Sequence, residues 1–155
     1  MPVNTPEEAK AFVRRWMDDR RVFRTDASDN SKDVYFSYEG VSDCGINVAI
    51  QQPRNIKRVV GVTSKIVFDK GQLETLSEEK RNNFLNDLGK KLLFVNPTWT
   101  QGPKPENPEW VLFIKEISYD ELTEGRLIDA VDQVSRTVIF ASSLIIDELG
   151  EPKAE

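Results

Sequence analysis

Few side chains in this sequence are of a type and spacing that could do chemistry, and the gaps in that set are informative. The 155 residues include one cysteine, Cys44, and no histidine. Ser-His-Asp and Cys-His nucleophilic sites therefore cannot be assembled, nor any zinc site that uses imidazole. A single thiol also excludes CxxC redox pairs, thiolate clusters and an internal disulfide framework. Cys44 sits in a turn with no cationic cluster close in sequence and reads as a passive thiol. No GxGxxG or GxxxxGKS/T run offers a phosphate cradle. Asp29-Asn30-Ser31-Lys32-Asp33 sets oxygen side chains at alternate positions, as the start of a calcium loop does. Val34 occupies the place of the turn glycine, however, and Gly40 that of the bidentate glutamate, so the run reads as a polar hairpin turn. Arg54, Lys57 and Arg58 form a small basic turn, read as a solvated loop.

What survives is acid chemistry without imidazole. An enzyme working through carboxylates alone would need two acidic side chains converging in a cleft, which spacing along the chain does not reveal. The expectation is a chain with no catalytic residues, no cofactor and no metal. The net charge of −5 argues against general nucleic-acid binding, which relies on clustered Lys and Arg to neutralise phosphates. Hydrophobic content of 39% with 30% charged residues is ordinary for a soluble globule. No window reaches the ~20 apolar residues of a membrane span, and the first ten residues hold no apolar run of the signal-peptide kind. With its lone thiol, the chain is expected in the cytoplasm.

The elements that would position any site are legible in order. Thr5 caps a first helix, with Pro6 at its first position and Glu8 completing a capping box. Ala9, Phe12, Val13, Trp16 and Met17 fall on one face of it, while Arg14, Arg15, Asp18, Asp19 and Arg21 form an ionic face read as solvated. Alternation then predicts strands: a short start at Phe23 and Thr25, then Val34 to Tyr38, Ile46 to Ile50, and Val59 to Phe68. Gly61 suggests a bulge in the last of these, and Asp69-Lys70-Gly71 closes it. Ser77 opens a second helix with Phe84, Leu85, Leu88 and Leu92 as its stripe. Leu93 to Val95 and Trp99 read as a return to strand, and Thr100 to Glu109, with four residues of Gly or Pro type, as a stiff exposed loop. Trp110 to Ile117 is a further strand. Trp16, Trp99 and Trp110 are expected to anchor the core. One domain over 1–150 followed by a polar tail at 151–155 is the organisation.

The longest apolar run, Thr123 to Leu149, closes the domain. Leu127, Val131, Val134, Val138, Ala141, Ile145 and Leu149 share one stripe at about 100° per residue. Ile128, Ile139 and Ile146 widen it on one flank, and Phe140 with Leu144 sit on the far side. From Thr137 to Ile146 there is no charge at all. Such a helix, about 39 Å long, must lie on a sheet and have its back covered again. Either another helix covers Phe140 and Leu144, or a second copy of the chain or a client protein does. Leaving that pair bare would forgo roughly 1.5–3 kcal/mol per side chain. Thr123 suits the N-cap, and Gly150 with Pro152 suits the stop.

The α-β-β-β-α-β-β-α order, the Leu76-Ser77-Glu78-Glu79-Lys80 opening of the middle helix and the Ile117-Ser118-Tyr119-Asp120-Glu121-Leu122-Thr123 entry to the last helix resemble a family of uncharacterised prokaryotic proteins whose fold is similar to the type III secretion chaperones. The resemblance implies an α+β domain in which a curved antiparallel sheet of about five strands is flanked by three helices. It also implies frequent dimerisation and binding of protein partners, with no catalytic signature to carry over. The expected function is a non-enzymatic, self-associating protein-interaction module, chaperone-like towards another protein, with Ile139, Phe140, Leu144 and Ile146 as partner-binding residues. The alternative is a small-ligand or regulatory domain using the concave face of the sheet, marked by a deep apolar pocket lined by Val48, Val62 and Trp110.

Overall fold

The computed structural model describes residues 2–150. The expected tail at 151–155, and with it the Pro152 half of the final helix stop, lies outside the described residues. Among those residues the order is α1 (Pro6–Asp19), β1 (Phe23–Asp26), β2 (Val34–Val41), β3 (Asn47–Pro53), β4 (Val59–Val67), α2 (Lys70–Glu74), α3 (Glu78–Lys91), β5 (Thr98–Gly102), β6 (Trp110–Ser118) and α4 (Glu124–Leu149). The six strands form one antiparallel sheet in the order β1-β2-β3-β4-β6-β5.

This corrects the sequence expectation of five strands and three helices. The short strand read at Phe23 and Thr25 is present as β1, exposed along most of its length and paired with β2 on one side only, and counting it brings the sheet to six strands. The extra helix, α2, replaces the turn read at Asp69-Lys70-Gly71. Gln72 Oε1 accepts the Asp69 backbone N–H at 3.3 Å, and the turn so closed buries Leu73. Leu92–Phe94 form a 3₁₀ turn and the strand begins only at Thr98, not at Leu93. Gly61 marks no bulge, since β4 pairs with β6 in unbroken register from Val59↔Ser118 to Val67↔Trp110. The bulges fall instead between Phe23 and Thr25 and between Val34 and Phe36.

Opposed residues of neighbouring strands share a face. Tyr38 meets Ile50, Ile50 meets Val62, Val60 meets Ile117, and Trp99 meets Phe113. That face carries the helices. α1 packs over β1 and β2, α4 over β3, β4 and β6, and α3 beside α4. Gly40 permits the first contact, because a Cβ there would sit 2.3 Å from the Val22 carbonyl oxygen and 2.8 Å from Met17 Cε. Arg14 of α1 leaves the ionic face to lie 3.5 Å over the Phe23 ring while donating to Asp18 at 3.0 Å. The caps behave as the residue types require: Thr5, Ser77 and Thr123 accept from the backbone N–H of Glu8, Lys80 and Arg126. Gly150 ends α4 at φ 81°, in the left-handed region glycine enters without steric cost.

The entry to α4 is pinned by a buried polar pair. Tyr119 Oη donates to Gln52 Oε1 at 2.5 Å, and Gln52 is 1% exposed. Beside it, the Tyr119 backbone N–H donates to the Arg58 carbonyl at 2.9 Å. These bonds tie the turn after β6 to the ends of β3 and β4, and so fix the angle at which α4 crosses the sheet.

Candidate functional site

The front of α4 is the centre of the core: Leu127, Val134 and Ala141 are all but inaccessible. Its back is a different surface. Phe140 is 45% exposed, Ile139 44% and Ile146 39%, whereas Leu144 is half-buried and packs against the core. The structure therefore brings three of the four expected partner-binding residues to the surface and turns Leu144 inward. At 45% exposure Phe140 is not buried under another helix as that reading requires. α3 lies beside α4, and Lys91 at its end pairs with Glu148 of α4 at 3.6 Å.

Four residues run along the exposed back at spacings of four, three and four: Arg136, Phe140, Ser143 and Asp147. That spacing keeps them on one strip of a helix, as in a coiled-coil seam. Ser143 turns its hydroxyl to the Ile139 carbonyl at 3.1 Å, leaving a small, satisfied residue at the middle of the strip. Arg136 pairs with Asp132 at 3.7 Å, both side chains being well exposed. An exposed pair of this kind holds its geometry weakly.

Sequence reasoning missed a second apolar protrusion, Leu93 and Phe94, the latter 93% exposed. Its signal was present: four apolar residues in succession, Leu92 to Val95, follow the Lys90-Lys91 helix end. In a tight turn they cannot all face one way, and Leu92 alone is buried.

The opposite, helix-free face of the sheet holds a groove of about 670 Å³ bordered by β2, β3, β4, β6 and Arg24 of β1. Trp110 lines it and Val48 borders it, although the side chain of Val48, two residues from Ile50, belongs like that of Val62 to the helix-covered face. The expected deep apolar pocket is thus a groove with a mixed polar and apolar lining. Trp110 is a half-buried wall of this groove and not a core anchor; Trp16 is buried, and Trp99 is half-buried against Gly89 of α3.

The remaining sequence signals are committed locally. In the Asp29 to Asp33 region, Asp26 Oδ1 accepts the Ser28 backbone N–H at 2.9 Å and Ser31 Oγ accepts that of Asp33 at 3.1 Å. The Ser28 bonds hold the Asp26 carboxyl below the usual carboxylate range. Arg54 lies over the Tyr35 ring and Arg58 pairs with Asp120. Cys44 is exposed, 3.3 Å from Ser42 Oγ. Burial pushes the phenols of Tyr38 and Tyr119 up. Among the described residues no three His, Cys, Asp or Glu side chains gather as metal ligands do, and no helix is long and apolar enough to cross a membrane.

With this geometry in hand, the chain can be set beside other proteins. It is similar to the crystal structure of an uncharacterized protein from Methanothermobacter thermautotrophicus, at a TM-score of 0.78 and 19% identity over 92% of this chain and 99% of that one. At that identity the likeness speaks for the shared α+β fold. YbjN of E. coli superposes at a TM-score of only 0.38, with 13% identity over 89% of this chain and 86% of that one, and carries no argument. None of the curated proteins matches the sequence. Residues 9–145 match the family model described as "Uncharacterized conserved protein (DUF2299)", running from within α1 to near the end of α4, and the chain belongs to that family.

Proposed function

We propose that the protein is a non-catalytic, cytoplasmic interaction module that pairs with a second copy of itself through the back of α4. The observation that carries this reading is the strip Arg136, Phe140, Ser143 and Asp147, which is complementary to itself. If two α4 helices lie antiparallel about a two-fold axis passing between Ala141 and Ser142, Arg136 of one copy faces Asp147 of the other, and Phe140 faces Ser143. The charges then pair with opposite sign, and the ring packs over a small residue. Ile139 and Ile146 close one side of the seam.

An acidic chain gains from a neutral meeting surface, because two copies that each carry a net charge of −5 repel elsewhere. The uncharged stretch Thr137 to Ile146 supplies that surface. The layout that resembles the type III secretion chaperones supports the rest of the reading, in which the paired module holds a protein client. The lone thiol is in keeping with a reducing cytoplasm.

Sedimentation velocity at tens of micromolar tests the pairing. The expected result is a dimer that Phe140→Asp weakens by at least about 30-fold, as loss of a central aromatic anchor does, with the circular dichroism spectrum unchanged. A strictly monomeric wild-type chain overturns it.

A further inference from the structure

We infer that the groove on the helix-free face of the sheet binds a small organic anion with a flat apolar body, an aromatic carboxylate or sulfonate. This is independent of the pairing through α4, which uses the other side of the molecule.

The volume, about 670 Å³, falls in the range of about 300–1,000 Å³ in which small-molecule sites lie. One corner of the groove is built to take a ring. A Cβ on Gly102 would meet the Trp110 indole at 2.6 and 2.7 Å, so the bare α-carbon of β5 is what lets the indole lie across that strand. Leu112 follows Trp110 on the same face, and Lys65 pairs in register with Leu112. Indole, leucine and ammonium therefore converge, with Lys65 Nζ 6.0 Å from the Trp110 ring centre. Cation and aromatic face at that separation attract one another, which steadies both before any ligand arrives.

Charge selects the ligand's sign. Arg24, Glu39 and Lys65 are the charged residues on the groove wall. Arg24 and Glu39 offset each other in sign at the β1–β2 end, where the Arg24 guanidinium donates to the Phe23 carbonyl at 3.0 Å. Lys65 has no carboxylate within ion-pairing distance among the described residues. It is exposed and stands beside apolar surface, so an anion joined to a flat ring satisfies both neighbours at once. The floor is low because Ala49 faces Thr63 where the β3–β4 ladder ends. Just beyond it, Ser64 Oγ is already spent on the Asn47 carbonyl at 2.6 Å.

Fluorescence titration with 8-anilino-1-naphthalenesulfonate tests this, with uncharged N-phenyl-1-naphthylamine as the comparison probe. The sulfonate is expected to bind saturably at one site per chain, quench Trp110, and bind at least tenfold more tightly than the neutral probe. Lys65→Glu should abolish that preference. Gly102→Ala, which keeps both side chains but displaces the indole, should weaken binding severalfold, and Phe140→Asp should leave it unchanged. Absence of saturable binding, or binding indifferent to Lys65→Glu, overturns the assignment. So does binding lost in Phe140→Asp, which would place the probe on α4 instead. Lys65 is exposed on the sheet surface, so its variant reads out the site even if Gly102→Ala fails to fold.

Discussion

The front and back of α4 are made from the same kinds of residue and have opposite fates. Along the front, Leu127, Val134, Ala141 and Ile145 press on β3, β4 and β6 and lose nearly all contact with water. Along the back, Ile139, Phe140 and Ile146 remain close to half exposed. The difference is not in hydrophobicity but in which residues face the sheet. A helix beside a single sheet has one face satisfied, and whatever apolar residues stand on the other are available to something outside the fold. The N-terminal half of α4 avoids this by presenting Asp129, Asp132 and Arg136 to solvent, and the uncharged stretch from Thr137 to Ile146 does not.

The comparison breaks most sharply at Leu127. Leu127→Ala on the front leaves a cavity in a close-packed layer and should cost about 2–5 kcal/mol of stability. Denaturant unfolding measures that loss, and once the folded chain is selected its association constant should be unchanged. An equal loss from Phe140→Ala on the back would erase the distinction between the two sides.

The next effect lies at the helix entry. Tyr119→Phe leaves Gln52 buried without its donor and should cost about 1–3 kcal/mol. The variant also has a pH signature. Burial raises the folded-state phenol of Tyr119, opposed in part by its bond to Gln52. Its contribution is therefore fully present below the ordinary phenol range and is lost as the pH rises through the higher folded value. The wild-type chain should lose stability in that alkaline window, and Tyr119→Phe should lose less; parallel curves for the two proteins would refute the assignment.

The smallest effect sharpens the back itself. Because the two-fold axis makes the Arg136–Asp147 pair twice, Arg136→Asp should weaken pairing by about 2- to 30-fold, the scale of two exposed ion pairs. Combining it with Asp147→Arg should return the wild-type dissociation constant in sedimentation equilibrium. Additive losses in the double variant would exclude the antiparallel register while leaving self-association through Phe140 intact.

Much of the fold was legible because its signals are local. Caps at Thr5, Ser77 and Thr123, the glycine stop at Gly150 and the Leu127 to Leu149 stripe each depend on residues a few positions apart. The misreadings share a cause as well. The apolar run from Leu93 to Val95 looks like a strand in isolation but closes α3 as a 3₁₀ turn, and the strand starts only at Thr98, where β6 lies beside it. α2 rests on a side-chain bond between Asp69 and Gln72 that spacing permits but does not demand. At the candidate sites, the sequence singled out Phe140 with Leu144 as excess apolar surface but could not tell that Leu144 turns inward while Ile139 on the flank stays exposed, since a helical position midway round the wheel is decided by the neighbour that packs there.

By itself, then, the sequence determined the helix and strand types, the family of the chain and the absence of imidazole and dithiol chemistry, because all of these are properties of residue type and near-neighbour spacing. Tertiary structure alone decided that β6 inserts between β4 and β5, that every helix lies on one face of the sheet, and that Trp110 stands in an open groove beside Lys65. The first and last of these follow from the pairing of β4 with β6, between residues more than forty positions apart, such as Lys65 with Leu112. No local pattern encodes such a pairing; it follows from the register that buries the most apolar surface of the whole chain at once.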